Sequence, residues 1–251
     1  MQDFKGKTAI VTGGAQGMGR QYVRLLAEAG ANVVVADVNE ELARQTVDAL
    51  GFGDRLLAVK TDVGLIEATT ACAATAVERF GGIDYLINNA GLLSAAAHRS
   101  LIQVEPETYL RIINIMAHGM LWMTRAVVPA MRARGKGAIV NVSSIGAWQA
   151  TGLYSMAKVL VNGLTVNLAH ELAADNIRVN AVAPGTVNTE GMKPLMTVEQ
   201  MAQWGRMGGR PTDRVAEPDE IARAGLFLLS DAASYIRGQI IAVDDGQSIR
   251  I

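Results

Sequence analysis

The sequence predicts a doubly wound α/β fold, in which one parallel sheet of seven strands carries helices on both faces. Apolar runs of five to seven residues alternate with longer segments of helical period, as is typical of parallel strands buried under helices. Half of the 251 residues are apolar, enough for one large core. Because no Pro-, Gly- or Ser-rich linker and no internal repeat divides the chain, residues 1–251 are predicted to form a single domain.

The predicted elements follow one another regularly along the chain. The seven strands are expected at 8–12, 32–36, 55–60, 84–88, 138–143, 177–183 and 239–243. After the first strand, "GRQYVRLLAEAG" has helical period and ends in Gly30, which suits a left-handed helix cap. A long helical segment, 106–135, opens with Pro106 in its first turn, where proline is favoured. In such a fold, ligands bind at the carboxyl ends of the strands.

Composition excludes several classes of function. With 23 basic and 24 acidic residues the net charge is -1, and no basic run suits a nucleic-acid backbone. The N-terminal segment lacks the apolar stretch of a signal peptide, and no run of eighteen apolar residues occurs, so we expect a cytoplasmic protein without a membrane partner. The single cysteine, Cys72, is predicted to be a packed thiol. His98, His118 and His170 show no metal-ligand spacing, so no metal site is predicted.

The turn after the first strand predicts a dinucleotide site. In "TGGAQGMGR", Gly13, Gly17 and Gly19 let the backbone turn tightly and place a pyrophosphate on the N-terminus of the next helix. Asp37 ends the second strand, where a carboxylate bonds a ribose diol. Because that carboxylate would repel the extra phosphate of NADP, and no Lys or Arg follows it, NAD is the predicted cofactor.

Two further strand ends are expected to border this cofactor. Asp62 ends the third strand and either accepts a hydrogen bond from the adenine amine or caps the following helix. The fourth strand ends in "NNAG" (88–91), where Gly91 permits close backbone approach and the asparagines can hold a loop beside the cofactor.

Tyr154 and Lys158 lie four residues apart in a predicted helix, and therefore on one face of it. Lowering a tyrosine pKa from about 10 to near neutrality takes roughly 3–4 kcal/mol. An ammonium group at about 4 Å, at an effective dielectric constant near 20, supplies on the order of 4 kcal/mol. We therefore expect Tyr154 to exchange a proton with an alcohol or carbonyl while hydride passes to or from NAD. A serine hydroxyl ending the fifth strand is expected to hold the same oxygen.

These motifs, in this order, resemble those of the short-chain dehydrogenase/reductase family over nearly the whole chain, from "KTAIVTGGAQGMG" to "IIAVDDG". The resemblance implies a Rossmann-type fold, an NAD-dependent alcohol dehydrogenase or ketone reductase, and a catalytic tetrad of Asn114, Ser144, Tyr154 and Lys158. Asn114 would hold a water that links Lys158 to solvent, and Lys158 would also bind the nicotinamide ribose. The implied cofactor-binding residues are Gly13, Gln16, Gly17, Met18, Gly19, Asp37, Asp62, Val63, Asn89, Ala90, Gly91, Tyr154, Lys158, Pro184, Gly185, Val187 and Thr189.

The chain departs from the family pattern in two places. The interval between serine and tyrosine is shorter than usual by about three residues. Aligning from the strand selects Ser144, with Ser143 as the alternative, whereas aligning from the tyrosine selects Asn141. The second departure is Asp245, where the family commonly has glycine; it is expected to affect the C-terminal interface and not the tetrad.

Residues 186–215 are expected to form a lid over the substrate. Methionine is adaptable in contact, so a Met-rich lid favours an apolar, cyclic secondary alcohol or ketone, although ordinary helix packing would use the same residues. The apolar residues concerned are Met192, Met196, Met201, Trp204 and Met207.

Other residues are candidates for the remaining walls of the substrate pocket. Trp148, Leu92 and Leu93 are candidates for the opposite wall, and His98 for polarising a substrate group. The lid arginines are spread out instead of forming an anionic clamp, so an acidic or acyl-carrier substrate remains open. These arginines are Arg206, Arg210 and Arg214.

Alternatives to an NAD-dependent alcohol dehydrogenase remain at this stage. They are an NADP-dependent 3-oxoacyl reductase-like enzyme, a methyltransferase using S-adenosylmethionine in the same Gly-rich turn, and a non-catalytic NAD-binding protein on the same fold. The resemblance also implies a homotetramer built through long helices near 106–134 and 152–174. Ile249 and Ile251 in the tail are expected to be covered by a neighbouring subunit.

Overall fold

The structure is a computed structural model that describes residues 4–92 and 100–248, and it contains the predicted seven-stranded sheet. Every strand pairing is parallel. The strands are β1 (Thr8–Thr12), β2 (Asn32–Asp37), β3 (Leu56–Lys60), β4 (Tyr85–Asn88), β5 (Gly137–Val142), β6 (Ile177–Pro184) and β7 (Ile240–Val243). Their order is β3-β2-β1-β4-β5-β6-β7. The order reverses between β1 and β4, which opens a crevice at the carboxyl ends of these strands.

Eight α-helices connect and follow the strands in the described part of the chain. They are α1 (Gly17–Glu28), α2 (Glu40–Leu50), α3 (Ile66–Phe80), α4 (Pro106–Ile113), α5 (Gly119–Ala133), α6 (Leu153–Glu171), α7 (Val198–Met207) and α8 (Pro218–Leu229). As predicted, Gly30 is left-handed (φ 91°) just after α1 and Pro106 begins α4. Within residues 4–92 and 100–248, no helix is long and apolar enough to cross a membrane.

The core forms two layers because successive strand residues face opposite sides of the sheet. Val11 packs with α1, α2 and α8, whereas its neighbour Ile10 packs with α3, α5 and α6. A third, smaller apolar cluster joins α4 to the first turns of α6 near the crevice, and includes Ile112, Ile113 and Leu153. This cluster supports the part of α6 that carries Tyr154.

A π-helical turn, Asn114–His118, separates α4 from α5. The sequence predicted uninterrupted helical structure here, so the turn is a difference from that prediction. Such turns are rare and often lie at functional sites. Asn114 is its first residue, and its Nδ2 donates to the carbonyl oxygen of Gly64 at 3.1 Å.

Arg178 in β6 joins the sheet to the end of α8. Its guanidinium is buried and donates to the carbonyl oxygens of Leu228, Leu229 and Ser230 at 2.7, 2.9 and 3.0 Å. The last carbonyls of a helix have no partner within the helix. Arg178 therefore satisfies several of them inside the core.

Candidate active site

A cavity of about 890 Å³ lies at the carboxyl ends of the strands and contains almost all of the predicted site residues. Its wall includes Asp37 and Asp62, after the second and third strands, and Met196 and Trp204 from residues 186–215. The predicted residues that line it are Gly13, Gln16, Gly17, Met18, Asp37, Asp62, Val63, Asn89, Ala90, Gly91, Asn114, Ser144, Tyr154, Lys158, Pro184, Gly185, Val187 and Thr189. Of the predicted tetrad and cofactor-binding residues, Gly19 alone is not part of the wall.

The Gly-rich turn packs tightly against the loop that follows β4. A Cβ on Gly13, whose φ is 62°, would lie 2.9 Å from the Cα of Ala90, and one on Gly19 would lie 1.9 Å from the carbonyl oxygen of Gly13. The Nδ2 of Asn89 donates to the carbonyl oxygens of Thr12 and Gly13, at 3.0 Å each. Gly19 therefore lets the turn close, and Asn89 holds the loop in place.

The N-terminus of α1 is bonded to a carboxylate. The backbone N–H of Gly17 donates to Oε2 of Glu190 at 3.1 Å, and α1 has no acidic residue in its own first turn. Free N–H groups and the helix dipole attract negative charge at this position. Glu190 was not singled out from the sequence, because only the fold brings it to this helix.

Asp37 and Asp62 are fixed by backbone N–H groups beside the cavity. The carboxylate of Asp37 accepts from Ala15 at 3.1 Å and from Asn39 at 3.0 Å. Asp62 accepts from the N–H of Gly64 at 2.9 Å in a turn before α3, so it does not cap that helix. Both side chains are thereby held at the cavity wall, and the capping alternative for Asp62 is wrong.

Ser144, not Ser143 or Asn141, is the residue beside Tyr154. Its hydroxyl is hydrogen-bonded to the Tyr154 side chain and also accepts from the N–H of Gly146 at 3.0 Å. Ser143 donates to Oδ1 of Asn162 at 2.6 Å, and Asn141 is fully buried. Alignment from the strand end therefore selects the serine that contacts the tyrosine.

Gly146 makes room for this pair. A Cβ there would lie 3.1 Å from Cε1 of Tyr154 and 3.2 Å from Oγ of Ser144. Such contacts are tighter than ordinary van der Waals distances, so glycine lets the turn after β5 close over the tyrosine ring.

Lys158 and Tyr154 share one buried face of α6. Lys158 is 6% exposed, its Nζ donates to the carbonyl oxygen of Val142 at 2.7 Å, and its Nζ lies 5.8 Å from the centroid of the Tyr154 ring. Burial lowers the pKa of Lys158 to about 8, since it removes the hydration of the ammonium.

The predicted lowering of the Tyr154 pKa is wrong for the protein without ligands. Burial raises that pKa, and the hydrogen bond from Ser144 opposes the rise only in part. The phenol is therefore protonated at neutral pH in this structure. The error arose because helical spacing predicts that the two side chains are near each other but not how far both are desolvated.

The lid residues divide between the cavity and other surroundings. Met192, Met196 and Trp204 border the cavity as expected. Met201 is instead fully buried in the protein core, and Met207 is 79% exposed. Two of the four methionines in the expected lid therefore border the cavity, and the lid itself stays a prediction.

The other pocket candidates also have mixed outcomes. Leu92 borders the cavity, whereas Trp148 does not. Leu93 and His98 lie outside the described residues, as do the tail residues Ile249 and Ile251.

The three lid arginines are engaged away from the cavity wall. Arg206 donates to the carbonyl oxygen of Pro211 and pairs with Asp213. Arg210 is buried and donates to backbone carbonyl oxygens, and Arg214 pairs with Glu220. In the described part of the wall, the only cationic side chains are Arg111 and Lys158.

Several polar wall residues were not predicted from the sequence. They are Thr61, Arg111, Gln149, Thr151, Thr186 and Gln247. Gln247 follows the last strand, so the rule that ligands bind at carboxyl ends of strands was the signal that could have found it. Arg111 precedes Asn114 by three residues, which is one helical turn.

Asp245 occupies a position that favours glycine. Its φ is 54°, in the left-handed region, and its carboxylate is hydrogen-bonded to the hydroxyl of Thr212. Aspartate tolerates this conformation better than most residues.

Within residues 4–92 and 100–248, no three His, Cys, Asp or Glu side chains are grouped to hold a metal ion.

Comparison with known proteins identifies relatives along the whole chain. A family model described as enoyl-(acyl carrier protein) reductase matches residues 13–248. An uncharacterized oxidoreductase of Mycobacterium tuberculosis is 43% identical over 251 residues, covering 98% of this chain and 99% of the relative. Cis-4-hydroxycyclohexanecarboxylate dehydrogenase of Sinomonas cyclohexanicum is 42% identical over 250 residues, covering 97% of each.

A solved structure shows the same fold. It is that of 7α-hydroxysteroid dehydrogenase complexed with NADH and 7-oxo glycochenodeoxycholic acid, and its TM-score is 0.89 at 31% identity. The alignment covers 99% of this chain and 97% of that one.

Proposed function

The chain belongs to the short-chain dehydrogenase/reductase family, and on this premise we propose that it transfers hydride between NAD(H) and a secondary alcohol or its ketone. It is an oxidoreductase by that membership, which leaves no basis for the methyltransferase alternative. The dehydrogenase and the steroid-complex structure to which it is similar are named for reactions of ring alcohols and ketones.

The observation that best supports the proposal is the arrangement of three side chains in the cavity. Ser144 is hydrogen-bonded to Tyr154, and the buried ammonium of Lys158 lies 5.8 Å from the centroid of the Tyr154 ring. Asp37 lines the same cavity. In the oxidation direction, Tyr154 would act as the phenolate, a form that the charges of Lys158 and of bound NAD would favour, and it would take the alcohol O–H proton while the C–H bond breaks and both electrons leave as hydride for NAD. The carbon–oxygen double bond of the ketone forms at the same time. Ser144 holds the substrate oxygen, and Asn114 is proposed to link Lys158 to solvent through water.

The described residues fit a dinucleotide. The turn at Gly13 and Gly19 has no space for side chains, and the N–H of Gly17 already binds a carboxylate oxygen, an anionic group like those of a pyrophosphate. Bound NAD would supply the hydride acceptor, and its positive ring would favour the tyrosinate. The other contacts proposed for NAD are those of the predicted cofactor-binding residues in the cavity wall.

Asp37 supports NAD over NADP. Two backbone N–H groups hold its carboxylate at the cavity wall, so it cannot easily turn away from an added phosphate. Such a like-charge contact costs several kcal/mol. In the described wall, the cations are Lys158, beside Tyr154, and Arg111 in α4.

Two alternatives remain within the same fold. The description of the matching family model supports an acyl-carrier reductase, which would be NADP-dependent if it resembled 3-oxoacyl reductases. The three lid arginines, which face away from the cavity, argue against a substrate with a large anionic carrier. A non-catalytic NAD-binding protein would leave Ser144, Tyr154 and Lys158 without a role.

The test is a panel of secondary alcohols and ketones assayed with both nicotinamide cofactors, by the absorbance of the reduced cofactor. Tyr154→Phe is expected to lower kcat by about a thousandfold while leaving the Kd for NADH within about threefold. Retained turnover in this variant would rule out the proposed chemistry. Bound NADH without turnover of any substrate would favour the non-catalytic alternative.

Cofactor choice has its own pair of variants. Asp37→Asn is expected to raise kcat/KM with NADP relative to NAD by about tenfold or more, because it removes one charge at nearly constant shape. Asp62→Asn is the matched control, and it should leave that ratio unchanged. An unaltered ratio in Asp37→Asn would contradict the assignment of NAD.

We also propose a homotetramer of single-domain subunits, each with residues 186–215 as lid. Val159, Leu160 and Val166 expose 50%, 40% and 49% of their surface on α6, which supports burial of this helix against another subunit. Light scattering that gives a monomer at micromolar concentration would contradict this. The cytoplasmic location stays a prediction, and fractionation of the native cells tests it.

A further inference from the structure

The turn after β7 fixes the backbone of Gln247 at the cavity wall. The carboxylate of Asp244 accepts from the N–H of Gly246 at 3.2 Å and from that of Ser248 at 2.7 Å. The carbonyl oxygen of Asp244 accepts from the N–H of Gln247 at 3.1 Å. Three bonds to one residue therefore hold the short segment that carries the Gln247 side chain.

The amide of Gln247 is enclosed between two glycines. A Cβ on Gly208, just after α7, would lie 2.5 Å from its Nε2, and a Cβ on Gly185, just after β6, would lie 3.5 Å from its Oε1. Any residue other than glycine at 208 would displace this amide. The side chain thus reaches from the C-terminal turn across to the strand end beside the lid.

The Oε1 atom of Gln247 is buried and has no hydrogen-bond partner among the described residues. A buried acceptor without a donor costs about 1–3 kcal/mol, so such atoms need an explanation. Three other described side-chain atoms share this property, in Thr8, Asn88 and Asn188, but none of these residues lines the main cavity. Of these four residues Gln247 alone lines the cavity, and its Oε1, which has almost no accessible surface, would meet a donor of a ligand there once the amide rotates about the last bond of the side chain.

We infer that Gln247 determines substrate specificity by accepting a hydrogen bond from a neutral hydroxyl or amide N–H that the alcohol or ketone substrate carries away from its reacting carbon. This inference rests on the proposed function. The substrate class that follows is a ring alcohol or ketone with a second, uncharged donor group. A carboxylate in that place would face an oxygen atom, and the lid arginines are paired elsewhere.

The test compares two substrates that differ only in the remote group, cyclohexane-1,4-diol and 4-methylcyclohexanol. The wild-type protein is expected to prefer the diol in kcat/KM, and Gln247→Leu to lower kcat/KM for the diol by about tenfold or more, mainly through KM, with the methyl compound changed by less than about threefold. The matched control is Gln203→Leu, since Gln203 is exposed on α7 and does not border the cavity. This control variant should leave kcat/KM unchanged for both substrates.

Three results would overturn the inference. One is an equal loss of kcat/KM for both substrates in Gln247→Leu. Another is a rise in the Kd for NADH in that variant, which would assign the amide to the cofactor. A third compound, 4-hydroxycyclohexanecarboxylate, tests charge, and preference for it over the diol would also contradict a neutral donor.

If the proposed function is wrong, the wild-type protein would turn over none of these compounds, a result that differs from all three above. Calorimetric binding of 4-hydroxycyclohexanone and 4-methylcyclohexanone in the presence of NADH would then still report on Gln247. The inference is supported if Gln247→Leu weakens binding of 4-hydroxycyclohexanone and leaves binding of 4-methylcyclohexanone unchanged. It is refuted if the wild-type protein binds the two ketones equally well.

Discussion

Replacing Lys158 by methionine is expected to make the folded protein more stable at neutral pH, although it removes a group of the proposed proton-transfer site. The lysine side chain is 6% exposed, and its ammonium loses most of its hydration on folding. Methionine has a similar length and no charge, so the change removes that loss without opening a large cavity.

The magnitude follows from the pKa of Lys158. Burial lowers it from 10.5 to about 8, and this interval corresponds to about 3 kcal/mol of folding free energy at pH 7. The bond from Nζ to the carbonyl oxygen of Val142 offsets roughly 2 kcal/mol of this, because the variant leaves that carbonyl without its charged donor. Lys158→Met is therefore expected to be about 1 kcal/mol more stable than the wild-type protein at pH 7.

The sign of this difference reverses with pH. Below the folded-state pKa of about 8, Lys158 is charged in both the folded and the unfolded protein, so the cost of burying its ammonium is fully present. Between about 8 and 10.5 the unfolded chain binds more protons than the folded one, so the wild-type protein gains stability relative to the variant as pH rises. The gap in unfolding free energy between the wild-type protein and Lys158→Met is expected to change by about 2–3 kcal/mol between pH 7 and pH 10.

Urea unfolding of both proteins, followed by circular dichroism at pH 7 and pH 10, measures this gap, because titrating groups common to both cancel in the difference. Lys193→Met is the control, since Lys193 is exposed and its replacement should give a gap independent of pH. A gap for Lys158→Met that stays constant within about 0.5 kcal/mol would refute the reasoning, because it would mean that burial does not disfavour the ammonium.

Three other changes have defined outcomes. Gly19→Ala places a Cβ 1.9 Å from the carbonyl oxygen of Gly13, so we expect weaker NADH binding and a lower melting temperature; unchanged NADH titrations would contradict this. Glu190→Gln removes the negative charge beside the N–H of Gly17, and the Kd for NADH is expected to fall about fivefold at low salt, an effect that high salt should suppress. Arg178→Met leaves buried carbonyl oxygens without donors and is expected to cost about 3 kcal/mol in urea unfolding, whereas a loss under about 1 kcal/mol would argue against this role.

The strands could be predicted almost fully from the sequence. Their observed bounds differ from the predicted ones by at most one residue at either end, because strands buried on both faces are continuous apolar runs between turns. The π-helical turn at Asn114–His118 could not be predicted in this way. One extra residue in a long apolar helix scarcely changes its periodicity, and the choice between α and π turns depends on packing.

The site was predictable to the extent that it depends on topology. Parallel strands bring their carboxyl ends to one edge, so motifs far apart in the chain, such as Asp37 and Ser144, could be assigned to one crevice. Which side chains of residues 186–215 border the cavity could not be predicted, since tertiary contacts decide this and Met192 and Met201 look alike in sequence. The contacts of Glu190 and Gln247 likewise appear only once the chain is folded.

The π-helical turn has a consequence for how this protein can vary. Before it, α4 contributes Ile112 and Ile113 to the small cluster beside Tyr154; after it, α5 contributes Met123 and Met131 to the core under the sheet. Adding or losing one residue between them would rotate one half by about 100° relative to the other. The length of this stretch is thereby constrained more strongly than its composition. We therefore expect related sequences to differ here by substitutions and not by insertions or deletions.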